Sequence, residues 1–139
     1  MKKLAGGCLC GALRYECSEP VSPAAVCHCK TCRRAAGAHA VAWATVRRSD
    51  FRFTQGAPTE FSSTPPVVRT FCATCGTSTT YWTREAPDLI DITLATLDDA
   101  GAIAPADHIW MRDAVSWDRP NDGLPQFCTS RSAGERFTS

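Results

Sequence analysis

The nine cysteines of this 139-residue chain constrain its fold more than any other feature. Seven of them form three short groups, which are Cys8 with Cys10, Cys27 with Cys29 and Cys32, and Cys72 with Cys75. The odd count, and the absence of an apolar segment after Lys2 and Lys3, argue against a secreted disulfide scaffold. In a reducing compartment, clustered cysteines are typical of metal ligands or catalytic thiols. The sequence therefore predicts a cytoplasmic protein that binds metal.

Length and charge restrict the classes of partner. A chain of this length is the size of one domain, so we expect a single domain over residues 1–139. Fifteen basic and fourteen acidic residues give a net charge of +1, which provides no attraction for nucleic acid or an anionic membrane. No apolar run is long enough for a membrane span. The Ser-, Thr- and Arg-containing tail from about residue 128 is expected to fray.

Short segments between frequent prolines and glycines indicate a mainly β fold. Alternating apolar, β-branched and aromatic residues predict strands at 12–17, 41–46, 51–54, 67–71, 77–83, 89–97 and 108–111. One short helix is predicted over residues 30–36. A helix of this length is not stable alone in water, so it would depend on the sheet and on a nearby metal.

The first and last cysteine groups each end in a glycine, in CLCG at 8–11 and CATCG at 72–76. Glycine after a ligand allows a tight turn in which backbone amides point at the thiolate sulfurs. Two such turns predict a closed site of four thiolates around zinc. Because 61 residues separate Cys10 from Cys72, this zinc would clamp distant strands together. Zinc binding of this kind contributes on the order of 10 kcal/mol to folding.

The middle group, CHCKTC at 27–32, leaves three interpretations open. Three thiolates could hold a second zinc with its fourth position open, His28 could close the site as a fourth ligand, or the thiols could form a redox disulfide. We favour the open site, because alternation along an extended segment points His28 away from Cys27 and Cys29. An open zinc on three thiolates would accept a thiol and activate it for attack on a carbonyl.

The cysteine motifs together resemble the family of glutathione-dependent formaldehyde-activating enzymes, which also includes centromere protein V. Four segments carry the resemblance and span nearly the whole chain in order. They are GGCLCGALRY at 6–15, CHCKTCRRAAGA at 27–38, RTFCATCGT at 69–77, and DITLATLDD at 91–99 with HIWMRDAVSWDRPNDGLPQF at 108–127.

The resemblance implies a small zinc-bearing β-tent-like domain of antiparallel sheets. It implies a structural zinc on Cys8, Cys10, Cys72 and Cys75, and a second zinc on Cys27, Cys29 and Cys32 beside a glutathione site. The associated reaction adds glutathione to formaldehyde and gives S-hydroxymethylglutathione. The reverse of this reaction breaks a carbon–sulfur bond, so the enzyme is classed as a carbon–sulfur lyase.

Four other residues are candidates for a role in the site. Arg33 and Arg34 follow the middle cysteines and could bind glutathione carboxylates, or could be solvated turn residues. His108 could be an acid–base group or a histidine at the edge of the core. Cys128 is either a free thiol or the nucleophile of a thiol reductase, which is one alternative function. The other alternative is a non-catalytic module that binds zinc and glutathione.

Overall fold

The computed structural model describes residues 2–138, and the chain in this range is mainly β, with one α-helix and three short 3-10 turns. The strands are β1 (Leu4–Gly7), β2 (Arg14–Cys17), β3 (Ala25–Cys27), β4 (Val41–Arg47), β5 (Arg52–Gln55), β6 (Thr59–Phe61), β7 (Val67–Phe71), β8 (Ser78–Thr83), β9 (Leu89–Thr93) and β10 (Asp107–Ile109). The helix, α1 (Lys30–Ala36), has the predicted bounds. The predicted fold class is confirmed.

The strands form two sheets. The smaller sheet has the order β1-β2-β5, and the larger has the order β10-β3-β4-β9-β8-β7-β6. All pairs of neighbouring strands are antiparallel except β10 and β3, which are parallel. Within the described range, no helix has the length and the apolar run that a bilayer crossing requires.

Alternation along the central strands separates the core from the opposite face of the larger sheet. On β4, Ala44 and Val46 are fully buried, whereas Trp43 and Thr45 point to the other face. The core cluster consists of Leu4, Tyr15, Cys17, Ala24, Ala44, Val46, Ile90, Ile92, Leu94 and Leu97. Burial raises the pKa of Cys17 to about 11, so this thiol packs as a neutral apolar side chain.

Strand β1 was not predicted from the sequence, because two of its four residues are glycines. Close packing explains why one of these two positions, Gly6, is occupied by glycine. A Cβ atom at Gly6 would lie 2.5 Å from the hydroxyl oxygen of Tyr15, whose hydroxyl contacts Thr96 Oγ1 at 2.8 Å. Gly6 is therefore required for the close approach of the Tyr15 ring.

The C-terminal tail makes backbone hydrogen bonds and one ion pair. Cys128 N–H donates to Glu135 O at 2.8 Å, and Phe137 N–H donates to Gln126 O at 2.8 Å, which turns the tail back on itself. The guanidinium of Arg131 donates to both carboxylate oxygens of the buried Asp107 at the base of β10. These backbone pairs and the partly exposed ion pair connect the tail to the sheet, and fraying of the tail stays a prediction.

Candidate metal centres and the adjoining cavity

The first and last cysteine groups meet in space. The sulfurs of Cys8, Cys10, Cys72 and Cys75 all lie within 4.8 Å of one another. The Cys10 sulfur lies 3.6 Å from that of Cys8 and 3.8 Å from that of Cys72. A tetrahedral zinc with bonds of about 2.3 Å places its sulfur ligands roughly 3.8 Å apart. The spacing and the donor set therefore fit such an ion, and we refer to these four residues as the four-cysteine cluster.

The turns that carry this cluster have the geometry expected of a thiolate cage. Gly11 and Gly76 both adopt positive φ angles, of 81° and 80°, that favour glycine. The Leu13 N–H donates to Cys8 Sγ at 3.2 Å, and Thr77 Oγ1 lies 3.2 Å from Cys75 Sγ. Such donors stabilise negative charge on sulfur.

The middle group forms a second cluster, which we call the three-cysteine cluster. The sulfurs of Cys27, Cys29 and Cys32 lie within 4.8 Å of one another. Cys27 ends β3, Cys29 is the N-cap of α1, and its sulfur accepts the Cys32 N–H at 3.4 Å. Within residues 2–138, no fourth histidine, cysteine or carboxylate joins the cluster.

The three sulfurs are close enough to compete for protons. Hydrogen bonds with the thiols of Cys29 and Cys32, together with burial, raise the pKa of Cys27. Hydrogen bonds from Cys27 and Cys32 lower the pKa of Cys29. A metal ion would replace these shared protons, because thiols bind metals in the deprotonated form. Both cysteine clusters could therefore hold metal ions.

His28 points away from the three sulfurs. Its Nε2 atom lies 2.9 Å from Nδ1 of His108, and Nε2 of His108 lies 2.7 Å from a carboxylate oxygen of Asp122. Both histidines are at most 4% exposed, and burial lowers the pKa of His28 to about 4. The Asp122 carboxylate accepts a hydrogen bond from Nε2–H of His108, so in this neutral tautomer the Nδ1 atom of His108 is the acceptor for His28. The pair belongs to the protein interior on the side away from the cysteines.

A cavity of about 530 Å³ opens beside the three-cysteine cluster. Its floor is the face of the larger sheet that points away from the core. Four polar side chains form a row across neighbouring strands, with Arg69 opposite Tyr81, Tyr81 opposite Asp91, and Asp91 opposite Thr45. We call these four residues the polar row. The volume suits a small molecule rather than a macromolecule.

Arg69 connects the polar row to the sulfurs. It is 8% exposed, its Nη2 lies 3.2 Å from Thr31 Oγ1 and 3.8 Å from Cys32 Sγ, and its guanidinium stacks 5.0 Å from the centre of the Tyr81 ring. A role for Arg69 was not predicted from the sequence. The available signal was its strand position three residues before Cys72, on the face opposite to the core.

Arg33 and Arg34 are not among the residues that line the cavity, and their role in binding substrate carboxylates stays a prediction. The cationic residues that line it are Lys30, Arg69 and Arg131. Each residue of an α-helix is rotated by about 100° from the one before it. Arg33 and Arg34, which follow Cys32 in α1, therefore do not share the helix face that carries the Cys32 sulfur.

Cys128 also lies outside the residues that line the cavity. It is half-buried in the tail, where its sulfur donates to the carbonyl oxygen of Arg136 at 3.4 Å. The aromatic walls of the cavity include Trp43 and Trp110, and the Trp43 and Tyr81 rings lie 6.1 Å apart. The cavity therefore combines apolar walls, a polar floor and one sulfur-lined end.

The fold and these two clusters define a small cysteine-rich β protein with sites for metal ions. The model of the glutathione-dependent formaldehyde-activating enzyme family matches residues 3–113. The chain belongs to this family, which confirms the resemblance seen in the cysteine motifs. A crystal structure of a Rhodobacter sphaeroides protein is similar to it, with 32% sequence identity and a TM-score of 0.59, covering 68% of this chain and 88% of that chain.

Proposed function

We propose that this chain is a zinc enzyme, a single domain over residues 1–139 of the β-tent type, that adds glutathione or a similar small thiol to formaldehyde or another aldehyde. The reaction is that of a carbon–sulfur lyase and gives S-hydroxymethylglutathione. The observation that carries the proposal is the three-cysteine cluster at one end of a 530 Å³ cavity, without a fourth ligand among residues 2–138. Family membership supports the choice of thiol and aldehyde.

The two clusters take different roles in this proposal. The four-cysteine cluster holds a structural zinc, since its coordination is complete without substrate. The three-cysteine cluster holds the second zinc. An ion there would supply a free coordination position at which a thiol loses its proton readily and remains nucleophilic. Because both sites need reduced thiols, we assign the protein to the cytoplasm.

The protein side chains in the cavity favour the addition step. The reaction forms a bond between sulfur and the aldehyde carbon, breaks the carbon–oxygen π bond, and transfers the thiol proton to the oxygen. The guanidinium of Arg69, 3.8 Å from Cys32 Sγ, favours anionic sulfur at this end of the cavity. Burial raises the pKa of Tyr81, so its hydroxyl stays protonated at neutral pH and can donate to the aldehyde oxygen.

The test measures the rate of S-hydroxymethylglutathione formation by NMR exchange in the presence of zinc-loaded protein. Wild type, Cys32→Ser and a protein-free sample are compared. Cys128→Ser is the matched control, because Cys128 lies outside both clusters and outside the cavity lining. We expect acceleration by wild type and by Cys128→Ser, and none by Cys32→Ser.

Two outcomes would change this proposal. Equal rates in all samples would refute catalysis of this reaction and favour the non-catalytic module that binds zinc and glutathione. Reduction of methionine sulfoxide that is lost in Cys128→Ser would favour the thiol reductase instead. Neither result would alter the geometry of the two clusters.

A further inference from the structure

One member of the polar row, Asp91, is a carboxylate that lacks a cationic partner among residues 2–138. Asp91 lines the cavity from β9, where its Oδ1 accepts the Thr45 hydroxyl proton at 2.6 Å. Within residues 2–138, no Lys, Arg or His nitrogen lies within ion-pair distance of Asp91, and no donor contacts its second oxygen. Burial raises the pKa of Asp91, because its negative charge is poorly solvated in this position.

The surroundings of Asp91 favour a positively charged group. Trp43 and Tyr81 extend from the strands on either side of β9, and their rings lie 6.1 Å apart. Aromatic rings attract cations. A carboxylate with two aromatic rings beside it is a common arrangement for binding an ammonium group.

Asp91 and the three-cysteine cluster line the same cavity. It is separated from Arg69 by two strand spacings, since Tyr81 lies between them in the same row. Neighbouring strands are about 4.8 Å apart, so Asp91 lies roughly 10 Å from the strand position of Arg69, whose guanidinium contacts Cys32. A ligand that contacts both Asp91 and the three-cysteine cluster must therefore be an extended molecule.

We propose that Asp91 binds the ammonium group of the thiol substrate and thereby determines which thiols the cavity accepts. This inference rests on the proposed function, because it requires the substrate sulfur at the three-cysteine cluster. Glutathione meets the requirement, since it is an extended tripeptide that carries its thiol and its free ammonium group on different residues. The substrate class is then an extended thiol that carries a primary ammonium group.

The test compares the binding of glutathione and N-acetylglutathione, which lacks the ammonium charge, by titration calorimetry with zinc-loaded protein. Asp91→Asn keeps the side-chain shape and removes the charge. Asp88→Asn is the matched control, because Asp88 is exposed just before β9 and is absent from the cavity lining. S-methylglutathione repeats the measurement with a ligand that has the ammonium group but cannot bind as a thiolate.

We expect wild type and Asp88→Asn to bind glutathione about 10- to 100-fold more tightly than its acetylated form, the range of a charged hydrogen bond. In Asp91→Asn this preference should disappear, and the affinity for S-methylglutathione should fall by a similar factor relative to wild type. Equal affinity of wild type for the two thiols would overturn the inference, even if Asp91→Asn failed to fold. So would a preference that survives in Asp91→Asn.

Failure of the inference and failure of the proposed function give different results. The rate assay includes 2-mercaptoethanol as an uncharged thiol. If wild type accelerates thiol addition but binds thiols with and without the ammonium group equally well, only the role of Asp91 is refuted. If wild type neither binds nor activates any of these thiols, the proposed function is refuted, and the role of Asp91 with it.

Discussion

Replacing Cys75 by serine should unfold the chain. The substitution removes one of the four sulfurs that lie within 4.8 Å of one another. A structural zinc contributes about 10–16 kcal/mol to folding in small zinc domains. The whole free energy of unfolding of a domain is only about 5–15 kcal/mol, so the loss of most of the zinc contribution is sufficient to unfold it. Serine oxygen is a poor substitute, because zinc in such a site prefers thiolate sulfur.

Local packing cannot compensate for the lost metal. The apolar cluster at this site comprises the buried residues Leu13, Cys8 and Cys72, against which Phe53 and Cys75 pack. Complete burial of a leucine side chain contributes only about 1.5–3 kcal/mol. The burial of Leu13 therefore contributes several times less than the metal.

The assay is guanidinium unfolding followed by circular dichroism, with the zinc content measured per chain. Cys128→Ser is the control, since its sulfur contacts only the Arg136 carbonyl oxygen among the described hydrogen bonds. We expect Cys75→Ser to be unfolded without denaturant and Cys128→Ser to retain the wild-type midpoint. A Cys75→Ser chain with an unchanged midpoint and two zinc ions would refute the assignment of the structural site.

The remaining two predictions concern close packing and the tail. Gly6→Ala should destabilise the fold by about 1–3 kcal/mol and lower the urea midpoint, because the new methyl group would lie 2.5 Å from the Tyr15 hydroxyl. Gly101→Ala is the control, since its methyl group would make only an ordinary contact at 3.5 Å and should change the urea midpoint little. Arg131→Leu should lower stability by about 1–3 kcal/mol, since it leaves the buried carboxylate of Asp107 without its partly exposed cationic partner. A thermal midpoint equal to that of wild type would contradict the second expectation.

Local features made the helix and the cysteine groupings predictable from sequence. Helix α1 follows a cysteine that caps it and ends at Gly37, whose positive φ of 62° stops the helix. The strands that were missed are short or glycine-rich: β1 has two glycines, and β3 and β6 have three residues each. Such segments carry too little alternation to be recognised without their partners.

The polar row depends on the register between strands that are distant in sequence, and this register could not be predicted from the sequence. Arg69, Tyr81 and Asp91 become neighbours only when β7, β8 and β9 pair as they do. A partial signal existed at Asp91, which lies between the core residues Ile90 and Ile92 and must therefore face the opposite side. Arg33 illustrates the reverse case, since it follows Cys32 directly in sequence but is not among the residues that line the cavity.

Strand β7 joins the two cysteine clusters through a single short piece of backbone. Arg69 is in this strand, and Cys72 follows its last residue, so one chain segment carries both a wall of the cavity and a ligand of the four-cysteine cluster. Metal loss at the four-cysteine cluster would therefore release the segment that positions Arg69, although no atom of that cluster is part of the cavity floor. Inhibition by a chelator would then report on both ions together, and only substitutions confined to one cluster can assign the effect to either.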